Sequence, residues 1–71
     1  MKHCRVGDLV KKKKGKGVYR KMRGELGVVV EVEQTKKPGP SGQLVRVKWQ
    51  GDYGTFYDSR ENLCLISEGV K

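Results

Sequence analysis

Eight cations crowd one short stretch of this chain: Lys11, Lys12, Lys13, Lys14, Lys16, Arg20, Lys21 and Arg23. No acid interrupts them between Asp8 and Glu25, and they make up half of the 16 basic residues. Lysine and arginine at this density neutralise phosphates and release their counterions, which gives affinity without sequence preference. Tyr19 lies inside the stretch, and Tyr53, Phe56 and Tyr57 follow later. Aromatic rings of this kind offer bases a stacking surface. The candidate nucleic-acid-binding residues are therefore the eight cations with Tyr19, joined by Arg46, Lys48, Tyr53 and Tyr57. The sequence does not place Tyr19 or Tyr57. Trp49 and Phe56 read as core.

No other constellation points to chemistry. The one histidine, His3, sits at the terminus. Glu31 and Glu33 share a strand face and could in principle form an acid–base pair. A solvated face opposite Arg46 and Lys48 is the better reading, since opposite charges across strands help them pair. Gly15 and Gly17 stand among lysines, but no strand, Gly-loop and helix with Lys-Ser/Thr follows, which excludes a P-loop. Cys4 and Cys64 read as reduced, small and partly buried, and Cys64 among apolar neighbours as an inert thiol. If the first and last strands pair, the two sulfurs could approach each other, and a disulfide is the minority alternative. His3, Cys4 and Cys64 lack the paired spacing of a zinc site. No enzyme activity, cofactor or metal is expected.

The formal charge of +8 and pI near 9.8 favour a polyanionic partner. Nucleic acid, DNA or RNA, is the leading class, and an acidic protein would explain the same lysines. No apolar run approaches the roughly 20 residues that span a bilayer. No signal-peptide core follows Met1, because charges come at once. The expectation is a cytoplasmic monomer with no membrane partner.

These residues need elements to position them. With 71 residues there is room for one domain. A chain this short buries only about 60% of its unfolded surface, too little for a deep catalytic pocket. Val28, Val30 and Val32 share one parity, with Glu31 and Glu33 on the other. Val45, Val47 and Trp49 share one parity, with Arg46 and Lys48 on the other. Alternation of this kind predicts two half-buried strands, joined through the loop at 35–42. Val6-Gly-Asp-Leu-Val10 predicts a first strand entered through a bend, in which the Asp8 carboxylate accepts hydrogen bonds. The cationic stretch reads as an extended loop after it. Gly27 reads as a place where a side chain would collide or where φ is positive. Thr55 to Asp58 predicts a short aromatic strand. Ser59 to Asn62 predicts one 3₁₀ turn capped by Asp58 or Ser59. Leu63 to Ile66 predicts a last strand buried on both sides. Five short strands in so small a chain predict an all-β fold that closes as a strongly bent barrel.

Three stretches carry a resemblance: Val6-Gly-Asp-Leu-Val10, Gly24-Glu-Leu-Gly-Val-Val-Val-Glu-Val32, and Val45-Arg-Val-Lys-Trp49 followed by a turn, an aromatic pair and Glu61-Asn-Leu-Cys-Leu-Ile66. Together they resemble the SH3-like barrel in its KOW and Tudor-like variants, over residues 5–66. The chain looks especially like the small stand-alone barrels encoded in tailed-phage genomes. The resemblance implies a five-stranded barrel with a binding rather than a catalytic role. The lysine run is longer and denser than the KOW pattern requires. Tudor-like barrels bind methylated Lys or Arg in an aromatic cage, which here would use Tyr53, Phe56 or Tyr57; the surrounding positive charge disfavours a cationic ligand.

Overall fold

A computed structural model describes residues 2–13 and 24–69. Five strands follow in order: β1 (Leu9–Lys12), β2 (Leu26–Gln34), β3 (Gln43–Trp49), β4 (Thr55–Ser59) and β5 (Leu63–Ser67). They form one antiparallel sheet in the order β4-β3-β2-β1-β5. The fold is all-β, as the alternating sequence requires. The expected 3₁₀ turn before the last strand spans Arg60–Asn62, and a second one, not foreseen, spans Pro40–Gly42. Ser59 makes no side-chain cap; Asp58 Oδ1 accepts from Ser59 N at 2.8 Å and Asn62 Nδ2 at 3.0 Å instead.

The core is Cys4, Val10, Val29, Val45, Val47, Trp49 and Leu63, with Val32, Phe56 and Leu65 packed against it. The β3 alternation is as read: Val45, Val47 and Trp49 go inside while Arg46 and Lys48 face out. The β2 alternation needs a correction. Val28 and Val30 are exposed and Val29 is buried. A bulge between Val29 and Glu31 leaves Val30 as an extra residue, because Val29 opposes Val47 while Glu31 opposes Arg46. The bulge reverses the parity, so Val32 turns inward and Glu31 and Glu33 stay outward. Gly27 lies on the inner side, opposite Trp49. A Cβ there would stand 2.4 Å from Val47 Cγ1 and 2.9 Å from Trp49 Cε3. Only glycine lets those two side chains fill the space.

The last strand also departs from expectation. Leu63 and Leu65 face in, whereas Cys64 and Ile66 are exposed. Both cysteines are free; Cys4 is buried, and Cys64 is not partly buried but on the surface.

The cationic stretch does not begin as a loop. Lys11 and Lys12 belong to β1. Alternation sends Val10 and Lys12 inward and Lys11 outward. Lys12 is 5% exposed and pairs with the Asp58 carboxylate, itself 9% exposed. β1 and β4 are separated in the sheet by β3 and β2, so this contact requires the sheet to curl strongly. Lys14, Lys16, Tyr19, Arg20, Lys21 and Arg23 lie outside the described residues, as does the expected loop conformation between them.

Polar side chains tie further segments to the sheet. Gln43, buried at the start of β3, accepts from Cys4 N at 2.7 Å and donates to Cys4 O at 3.1 Å. A glutamine amide thus replaces a strand neighbour for the N-terminal segment. Arg60 is buried and donates to Lys2 O and Leu63 O, each at 2.7 Å. Asp8 accepts from Arg5 N at 2.9 Å and Gly69 N at 2.7 Å, the structural role expected of it.

Removing one partner of a buried ion pair leaves a desolvated charge and costs about 3–5 kcal/mol. A chain of this size has a total stability of roughly 4–10 kcal/mol. Asp58→Asn is therefore expected to lower the urea midpoint severely, while adding Lys12→Met, which removes the stranded ammonium and keeps an acceptor for Ser59 N and Asn62, recovers part of it. Gly27→Ala, which overpacks the core, is expected to cost about 1–3 kcal/mol in the same unfolding measurement.

Candidate nucleic-acid interface

The sequence-expected site residues fall into three places. The first is the outward side of β1 and β5. Lys11 stands opposite Cys64 on one side and Leu26 on the other. Lys13 follows, exposed, its backbone N–H bonded to Asn62 O at 2.8 Å. Lys11, Lys12, Lys13, Gly24 and Cys64 line an open depression of about 470 Å³. A second depression of about 320 Å³ is lined by Lys2, Lys13, Arg60, Leu63, Cys64 and Leu65. Lys13 and Cys64 belong to both. No carboxylate stands among the described residues that line either one. Lys2 is additionally paired with Glu68. Lys12 contributes its stem rather than a free charge, because its ammonium is bound to Asp58. It is thereby removed from the set of phosphate contacts that the sequence suggested.

The second place is the outward side of β2, β3 and β4. Arg46 opposes Glu31 on β2 and Tyr57 on β4. Its Nη1 lies 3.3 Å from Glu31 Oε1, and its guanidinium carbon lies 5.9 Å from the Tyr57 ring centroid. The Tyr57 hydroxyl donates to Glu33 Oε2 at 3.4 Å. Partial loss of solvent pushes the Tyr57 phenol up, and Glu31 and then Glu33 push it further. This cluster sets one cation against two carboxylates, so an incoming phosphate would be repelled. The reading of Glu31 as a solvated partner of Arg46 is confirmed. Lys48 sits in another row, opposite Val28 and Thr55, with no carboxylate across from it.

The third place is the turn between β3 and β4, where Tyr53 is 40% exposed. Trp49 and Phe56 are inside, with ring centroids 6.2 Å apart. Tyr53 and Tyr57 do not share a surface with the Lys11–Lys13 depression through any contact among the described residues. Cys64 was the residue that sequence reasoning missed. Its alternation with Leu63 and Leu65 was available as a signal, but four apolar residues in succession hid it.

No group of three or more metal-ligating side chains comes together among the described residues. No helix there is long and apolar enough to cross a membrane. No protein-family model matches the chain, and neither a curated protein nor a solved structure matches it.

The phenol offers a test of the second place. In a Tyr19→Phe, Tyr53→Phe background, ultraviolet titration should place Tyr57 above the ordinary value near 10. Adding Glu31→Gln should bring it part of the way down. A phenol raised by folding contributes stability that is present below its unfolded value and lost as pH rises through the folded one. Stability should accordingly fall more steeply with rising alkaline pH with Glu31 in place than in Glu31→Gln.

Proposed function

We propose that this chain is a non-enzymatic module that binds nucleic acid weakly and without sequence preference, on an SH3-like barrel of the KOW or Tudor-like kind. Three things support the barrel: the five antiparallel strands, the 3₁₀ turn before β5, and the Lys12–Asp58 contact between strands that are not neighbours. The observation that carries the function is the carboxylate-free depression between Lys11, Lys13 and Cys64. It lies at the point where the chain enters residues 14–23, which hold five more cations and Tyr19. The binding surface is Lys11, Lys13, Lys14, Lys16, Arg20, Lys21 and Arg23, with Lys48 at its margin. Arg46 is engaged by Glu31 and is not part of it. An acidic protein is the second reading, favoured by the exposed Val28, Val30 and Tyr57 beside Lys48.

Fluorescence anisotropy with DNA and RNA oligonucleotides at two or more salt concentrations tests the proposal. Binding should weaken steeply with salt. Each phosphate-contacting lysine that is removed should flatten the log–log slope by about 0.9 on duplex DNA or 0.7 on single strands. Lys11→Gln with Lys13→Gln should reduce it by about twice that amount, and Arg46→Gln should leave it nearly unchanged. Absence of binding at low salt, or binding indifferent to salt, ends the proposal. Capture of an acidic protein that survives nuclease treatment would then favour the second reading.

A further inference from the structure

Cys64 lies on β5 beside the cations of β1. It is directly opposite Lys11, it borders both depressions, and Lys13 is the other residue common to them. Its thiol is exposed. Leu63 and Leu65 on either side of it turn into the core. The side chain is small and uncharged, so a phosphate group can approach the two ammonium groups across it without a steric barrier. The acids nearest in sequence, Glu61 and Glu68, stand outside the residues lining the depressions.

We propose that the phosphate backbone of a bound nucleic acid strand crosses the outward side of β1 and β5 directly over Cys64, held by Lys11 opposite it and by Lys13 just beyond β1. This rests on the nucleic-acid reading above and assigns it a floor at Cys64 with cations along the β1 side. An occupied groove covers the Cys64 sulfur, so ligand and thiol reagents exclude each other.

The chain carries its own control for this. Its only other cysteine, Cys4, is 3% exposed, and burial pushes its thiol up, against a weaker opposing pull from Arg60. A thiolate is the reactive form, so Cys4 reacts slowly in the folded protein whether or not ligand is present.

The experiment follows iodoacetamide modification of each cysteine by mass spectrometry, with and without a thymidine oligonucleotide. Anisotropy is read on the same samples. At an oligonucleotide concentration about ten times the dissociation constant, Cys64 modification should slow by about tenfold, in line with the fraction of unbound protein. Cys4 reacts only when the fold opens, so its slow modification reports stabilisation by the ligand and not occupancy of the groove. Raising the salt should release the oligonucleotide and restore Cys64 reactivity together. In Lys11→Gln with Lys13→Gln, both binding and protection should decline. Binding seen by anisotropy with Cys64 still reacting at its free rate overturns this placement and leaves the nucleic-acid reading standing. Absence of binding at low salt overturns both.

Discussion

The contact between Lys12 and Asp58 is the constraint on which the rest of this fold depends. It joins strands separated by two others in the sheet, so it exists only if the sheet curls. Burying two charges is unfavourable unless their remaining hydrogen-bonding capacity is met. Here it is met on the carboxylate: one oxygen takes the ammonium, and the other takes Ser59 N and the Asn62 amide. The same carboxylate therefore shapes the 3₁₀ turn that leads into β5. That strand then returns to lie beside β1, with Leu63 opposite Lys12. One ion pair sets both the curvature of the sheet and the point at which its last strand begins.

The inward turn of Lys12 also decides what the surface looks like. On a strand, neighbouring residues point to opposite faces. A run of lysines carried on a strand must divide. Lys12 goes inside to Asp58, and Lys11 and Lys13 are left outside on either side of it in sequence. Their spacing along the outward side, with Cys64 opposite Lys11, follows from the ladder and not from any preference of the lysines. A flexible loop would have left all of them equivalent. The second basic cluster fails as an anion site for a similar reason. The β2 bulge brings Glu31 into register with Arg46, and Tyr57 comes from the other side to cover the guanidinium.

Much of this architecture was legible, and where it was not, the fault lay in runs without contrast. Val45-Arg-Val-Lys-Trp49 alternates cleanly, and its faces could be assigned from the sequence. Val28-Val29-Val30 does not alternate, so parity had to be borrowed from Val32, on the far side of the bulge. Gly27 reads as a place where a side chain would collide or where φ is positive; only the first alternative puts it inside, and in a regular strand it would bring residue 29 to the same face and Val28 to the other. Leu63-Cys-Leu-Ile66 hid its exposed residues in the same way, and Lys11 to Lys14 hid its buried one. Gln43 and Arg60 were beyond reach for another reason. Their partners are backbone groups of Cys4, Lys2 and Leu63, and nothing in a side chain's type announces a backbone partner distant in sequence.

The balance of charge bears on the binding role proposed for this scaffold. A net +8 on a body with a radius of gyration of 11.2 Å repels itself. The fold relieves this where it can, with Lys12 on Asp58, Arg46 on Glu31, Lys2 on Glu68, and Arg60 on two carbonyls. The excess that remains is concentrated beyond Lys11, where no acid is available. Adding acids there would stabilise the free protein. A polyanion bound there, as proposed, would supply the missing negative charge from outside and would stabilise the folded form in proportion to its occupancy. The repulsion within the free chain would then be part of the driving force for association, a role that the buried Lys12, paired with Asp58, does not share.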